Sequence, residues 1–304
     1  MTDSTGTVEL CREILGLDIG TQSGQLWFRA PQLYSAADNV FYLYYGHPDF
    51  NEENDPDVWS NGYVAVYHLE ESGTGATGEY ADQTANRNDG AGGGGLNVNC
   101  VPVRAAGKIG YGQNILTETV ELVNYGDFID IPNSPSLATL GPVTISCWVN
   151  PAANAGRLYA KQNGLVAWFQ NSATRLNLDR PTDGTKINLI KSGTATSMQH
   201  LATVYDGAFN NDAMEIYRNG APLVSTVGGG DGTGNLTDES AGFFRIGNVD
   251  WYDPANAGSN RCVNGLIDEL RIANVVRSAV WIGAEYSNQN DPAGFYTVGA
   301  EETL

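Results

Sequence analysis

Val143-Thr-Ile-Ser-Cys-Trp-Val149 is the stretch on which the fold turns. It carries no charge, is dense in β-branched and aromatic residues, and is too short for a globular helix, so it reads as a buried strand. Cys147 within it reads as a small core residue. Working outward, similar runs recur on both sides, divided by Gly, Asn, Asp and Pro. Upstream lie Tyr63–Leu69 and Phe128–Ile131. Downstream come Arg157–Lys161, Leu165–Phe169, Arg175–Leu178, Lys186–Ile190, Gln199–Tyr205, Ala213–Tyr217, Phe243–Ile246 and Leu266–Ile272. Many short strands at this spacing predict an all-β sandwich or barrel. Asn219-Gly220, within Tyr217–Pro222, is the commonest two-residue hairpin turn. One helix is predicted, Ser278 to Asn288, with Val280, Trp281, Ala284 and Tyr286 as its apolar stripe.

Composition narrows the partners. The chain has 304 residues, of which 37 are glycine, and 16 basic against 35 acidic side chains give a formal net charge of −19. Such a field repels phosphate backbones and anionic lipid, so neither nucleic acid nor a membrane surface is an expected partner. It attracts cations, which makes Ca²⁺ worth testing, while solubility, as in a salty habitat, is the plainer reading. No run approaches the roughly 20 apolar residues of a membrane span. Met1 to Leu17 lacks a basic n-region and does not read as a signal peptide; the chain is expected to be part of an exported protein or of a virus particle. Cys11, Cys100, Cys147 and Cys262 show no zinc spacing. Cys100 with Cys262 is one possible disulfide.

Residues 1–48 form a short β segment, with expected strands at Gln25–Arg29 and Val40–Tyr45, and 49–57 is an acidic linker. The sandwich is expected over 58–304. A segment of some 48 residues is marginal for a core of its own, so it is expected to pack on the sandwich or on another copy of the chain.

Four blocks resemble a known family. They are Ala65-Val-Tyr-His-Leu-Glu-Glu-Ser-Gly73 with Ala81-Asp-Gln-Thr-Ala-Asn-Arg-Asn-Asp-Gly90, then Tyr125–Leu137 with Val143–Val149, then Met214–Pro222, and finally Asn264–Ile272. In this order they resemble the concanavalin A-like lectin/glucanase (laminin G-like) domains. Phe41-Tyr-Leu-Tyr-Tyr-Gly46 resembles the end of an uncharacterised bacterial module that often precedes them. The resemblance implies a two-layer, jelly-roll-like β-sandwich whose first and last strands are neighbours, with a structural Ca²⁺ near them. Carried onto this sequence, the ligands would be Asp82, Asn88 and Asp268, with Asp127 as a further one; turn hydrogen bonds are the competing role for Asp82 and Asn88, and a pair with Arg271 or the capping of a loop for Asp268.

Catalysis is not expected. Glucanases of this kind need paired carboxylates facing one cleft. The nearest strings, Asp127-Phe-Ile-Asp130 and Asp268-Glu269, put their acids on opposite strand faces. Gly73-Thr-Gly-Ala-Thr-Gly78 matches a dinucleotide fingerprint but opens no helix. With only His47, His68 and His200, no metalloprotease or triad pattern is present. Gly247–Gly258 is the expected ligand loop, where Trp251 and Tyr252 offer sugar-stacking rings and Asp253 and Asn256 offer partners for hydroxyls. Trp148, Trp168 and Trp281 read as core. The expected function is non-catalytic binding of glycan or surface polysaccharide by an extracellular, cell-surface or virion protein. A structural or assembly role, through other copies of the N-terminal segment, is the alternative, and glycan cleavage comes third.

Overall fold

The computed structural model describes residues 1–18, 20, 23–34, 36–45, 54–120, 123–249 and 261–302. Nearly all of the regular structure is antiparallel strand, in two eight-stranded sheets and two small hairpins. The first sheet runs Ala221–Pro222, Met214–Arg218, Gln199–Tyr205, Val143–Pro151, Gly265–Ala273, Tyr111–Ile115, Val103–Ala106. Strand Gly265–Ala273 has a divided edge. Its first half pairs with Tyr111–Ile115, while Leu270 and Arg271 pair with Tyr67 and Val66 of Tyr63–Tyr67. The opening and closing strands are therefore neighbours, as expected. The second sheet runs Ser225–Gly230, Ile187–Ser192, Arg175–Arg180, Val166–Gln170, Arg157–Lys161, Phe244–Ile246, Ile129–Ile131, Ala91–Gly92.

Alternation decides what each strand contributes. Along Val143–Pro151, the residues Val143, Ile145, Cys147 and Val149 enter one apolar cluster with Leu158, Phe169, Leu178, Phe244 and others of the second sheet. That shared cluster is the sandwich interior, and burial of each large side chain in it is worth about 1.5–3 kcal/mol. Thr144, Ser146 and Trp148 point the other way and are buried too. A second covering lies over the outer face of the first sheet.

Two segments make that cover. Helix Ala279–Asn290, capped by the Ser278 hydroxyl, places Ile282 on Ala202 and Val204. Its Glu285 accepts from Ser146 Oγ at 2.6 Å, and its Gln289 accepts from Trp148 Nε1 at 2.5 Å. The N-terminal hairpin, Arg12–Asp18 with Ser23–Phe28, brings Trp27 against Trp59 and His68 and under the Arg271 guanidinium. Trp59 Nε1 donates to Glu13 of this hairpin at 2.7 Å.

Several expectations are corrected. Val40–Tyr45 forms no strand: its sole pairing among the described residues is one bridge from Tyr42 to Thr2. High β-propensity does not make a strand without a partner edge. Cys100 and Cys262 form no disulfide. Trp148 is buried, but beneath the helix rather than between the sheets, and Trp281 is 38% exposed. The Asn219-Gly220 turn is as read, with positive φ at both residues, 50° and 78°. No helix among the described residues is long and apolar enough to cross a membrane.

Candidate functional site

The four expected ligand contacts, Trp251, Tyr252, Asp253 and Asn256, lie outside the described residues. The stems of their segment are described. Gly247 N donates to Leu158 O, and Val263 N donates back to Gly247 O. Asn248 Oδ1 accepts from Val249 N at 2.8 Å and Arg261 N at 3.2 Å. Arg245 donates to Val249 O at 2.8 Å, forks onto both oxygens of Asp130 (2.6 and 2.8 Å), and lies over the Phe128 ring. The segment thus leaves and rejoins the second sheet at one rigid point.

The expected calcium ligands do not fit a shared coordination shell. Asp82 and Asn88 are brought together, but in a closed turn. Asp82 Oδ1 accepts from Val66 N and Thr84 N, and Oδ2 accepts from Thr84 Oγ1 and Asn88 N. Four donors leave that carboxylate little room for a cation. Asn88 spends its amide N–H groups on Val64 O and Ser136 Oγ. Asp127 is buried elsewhere and accepts from Leu116 N. Asp268 receives Lys108 N and Ile109 N on Oδ2, so of the two competing roles it takes the loop cap and not the pair with Arg271. Its Oδ1 is buried with no hydrogen-bond partner. Burial, then the neighbouring Glu269 charge, pushes its carboxyl up to about 8, so a proton suits that oxygen at neutral pH. Among the described residues, the one cluster of three carboxylate, thiol or imidazole groups at metal-ligand spacing is Cys11, Asp55 and Asp57, which shares nothing with the expected set.

The structure does present an open aromatic site, on the outer face of the second sheet. In Val166-Ala-Trp-Phe-Gln170, Ala167 and Phe169 enter the interior, so period two turns Trp168 outward. It is half-buried there and not a core residue as read. Register places Arg157, Trp168, Asn177 and Ile190 in one lateral row. The Arg157 guanidinium stands 4.8 Å from the indole centroid. Trp168 Nε1 donates to Asp179 Oδ2 at 2.9 Å, and Lys186 Nζ reaches the same oxygen at 2.6 Å. Asn188 donates to the other Asp179 oxygen, so the acid that fixes the indole is itself held. Asn177 is 1% exposed, and its Oδ1 finds no donor. An indole held in place, ringed by an amide, a guanidinium and an ammonium, matches the recipe for a polar ligand with apolar faces. The sequence signal for it was adjacency: Trp168 and Phe169 cannot both face inward.

Two antiparallel sheets about one core, with an aromatic-polar outer face and no helix layer within, define a lectin-like β-sandwich. Residues 124–283, more than half the chain, match the family described as the concanavalin A-like lectin/glucanases superfamily, and the chain belongs to it. No curated protein matches the chain. Among solved structures it is similar to the binding domain of Paraclostridial Mosquitocidal Protein 1, with 13% identity and a TM-score of 0.52 over 76% of this chain and 53% of that one. It is also similar to botulinum neurotoxin type C in a structure concerned with two ganglioside molecules, with 9% identity and a TM-score of 0.51 over 76% and 52%. A third likeness is domain 4 of AbnA, an extracellular arabinanase from Geobacillus stearothermophilus, in complex with arabinotriose, with 19% identity and a TM-score of 0.43 over 73% and 96%. The chain spans about half the length of the two toxin chains, and at these identities the likeness is one of fold.

Proposed function

We propose that this chain is a non-catalytic glycan-binding module of an extracellular, cell-surface or virion protein, and that sugar lies on the outer face of the second sheet. The observation that carries the reading is Trp168: an outward, half-buried indole whose N–H is fixed by Asp179. Sugar C–H faces stack on such rings while flanking polar groups take hydroxyls. Trp251, Tyr252, Asp253 and Asn256 belong to the proposal as further contacts, since Arg157 N is bonded to Arg261 O at the base of their segment. The two acid strings that come nearest to a hydrolytic pair are committed to structure. Asp130 is held by Arg245, and Glu269 is buried between His68 and Arg271.

A glycan array tests this, read with the intact chain and with Trp168→Ala, after matching melting temperatures. Sugar binding that the substitution removes is expected. Absence of any sugar signal overturns the function, and unchanged binding by the variant overturns the site.

One observation favours a second reading, assembly. Val40, Tyr42, Leu43, Tyr44 and Tyr45 are all exposed, Tyr45 at 71%, on an uncharged run of high β-propensity. Antiparallel pairing of this run with the same run of a second copy would cover it without bringing charges together. Light scattering should then show a dimer that Leu43→Asp returns to monomer, and a monomer at all concentrations overturns it.

A further inference from the structure

The charge of the Trp168 face runs against that of the molecule. The whole chain carries 16 basic side chains and a net charge of −19. Yet among the described residues Arg157, Arg175 and Lys186 gather around Trp168 against one carboxylate, Asp179, while Arg245 and Asp130 on the same face are a closed pair. Arg175 stands opposite Gln170 and Ser192, with the same outward parity as Asn177, hence diagonal to Trp168 at about 7 Å. It is half-buried, and its guanidinium has no side-chain partner among the described residues.

Resting on the glycan reading above, we propose that this face takes a carboxylate-bearing sugar: Trp168 stacks the sugar ring, and Arg175 receives its carboxylate. With no side-chain acceptor among the described residues, the Arg175 guanidinium keeps its N–H fork available to a ligand. A ligand carboxylate supplies two oxygens in the plane that its N–H fork requires. Lys186 and the indole N–H already serve Asp179, and Arg157 lies against the ring, so Arg175 is the cation of the three with no carboxylate or ring engaged among the described residues. Asn177, buried beside Trp168 with an unsatisfied amide oxygen, is the acceptor for an adjoining hydroxyl. The global charge limits the ligand further. A dense polyanion is repelled at long range, so the acid is a single sugar or a sparsely charged chain.

The test is calorimetric titration with trigalacturonate and with its neutral methyl ester. The acid is expected to bind about tenfold more tightly than the ester, a difference of about 1.4 kcal/mol. Arg175→Gln should abolish that ratio by weakening the acid more than the ester, whereas Arg175→Lys should keep part of it, and Trp168→Ala should weaken both ligands. Equal affinity for acid and ester, or an intact ratio in Arg175→Gln, overturns the inference while neutral-sugar binding keeps the glycan reading. If neither compound nor any arrayed sugar binds, both fall together.

Discussion

Nδ1 of His68 lies 2.6 Å from Oε1 of Glu269, in the buried seam where the N-terminal hairpin meets the first sheet. The other ring nitrogen is 3.2 Å from Glu13 of the hairpin, and Arg271 donates to the second Glu269 oxygen at 2.7 Å. Three segments far apart in sequence are thus fastened by one ionic network. Burial alone would lower the His68 pKa, but the charge of Glu269 and the bonds to Glu13 and Glu269 outweigh it and raise it to about 10. Burial would raise Glu269, and His68 and Arg271 outweigh it in the opposite direction.

His68→Gln should therefore be severe. It leaves Glu13 and Glu269 buried without their shared cation, and losing one partner of a buried pair costs about 3–5 kcal/mol. Linkage sets the pH window. A histidine raised from 6.5 gives full stabilisation below its unfolded pKa and loses it as pH rises toward about 10. Glu269, lowered from 4.5, contributes above that value and loses its contribution as pH falls. The network is strongest between about 4.5 and 6.5, and denaturant melts of wild type and variant should differ most there. A difference that grows from pH 7 to pH 9 would contradict this assignment.

Asp268 predicts the opposite sign for an acid. Its pKa is raised from 3.8 to about 8, so its favourable contribution is complete below 3.8 and declines through that window as pH rises. Asp268→Asn keeps the acceptor for Lys108 and Ile109 N–H and never ionises. Thermal melts should coincide within about 1 kcal/mol near pH 4 and favour the variant by about 2 kcal/mol or more above pH 8. Parallel curves across the range would show that Asp268 is already ionised when folded.

Calcium removal should leave stability unchanged. A site occupied at a hundred times its Kd adds about 2.7 kcal/mol, which is a shift of several degrees in a chain of this size. Asp82 instead holds its turn through Val66, Thr84 and Asn88. Melting with millimolar Ca²⁺ and with EDTA should therefore coincide, while Asp82→Ala, which orphans buried N–H groups, should cost about 3 kcal/mol or more. An EDTA-induced drop of several degrees would restore the ion.

Much of this was legible in local pattern, because alternation is a property of a few consecutive residues. Val143–Val149 shows its strand through an uncharged run dense in β-branched and aromatic residues, and Asn219-Gly220 shows its turn because those two residue types tolerate the φ > 0 that both adopt. Strands Ala91–Gly92 and Ser225–Gly230 were missed because glycine carries no side-chain period. Val40–Tyr45 misled in the other direction, since propensity is local and a partner edge is not. Alternation separates two faces but does not say which is interior, and so Trp168 reads as core in the sequence. His68, Glu13 and Glu269 could not be joined from sequence at all, because strand pairing alone brings them together.

Trp168→Phe separates the ring from its N–H. Phenylalanine keeps an apolar face on the outer side of the second sheet but cannot donate to Asp179. Asp179 retains Lys186 and Asn188, so no buried carboxylate is orphaned and stability should fall by about 0.5–1.5 kcal/mol, the worth of one hydrogen bond. Without that tether the ring loses its fixed orientation and some stacking area, and sugar affinity should drop by less than about tenfold, against a larger loss for Trp168→Ala. Paired melts and sugar titrations on the three proteins check the order. If Trp168→Phe binds no better than Trp168→Ala, the tether to Asp179 that orients the indole, and not an apolar ring face by itself, decides sugar binding.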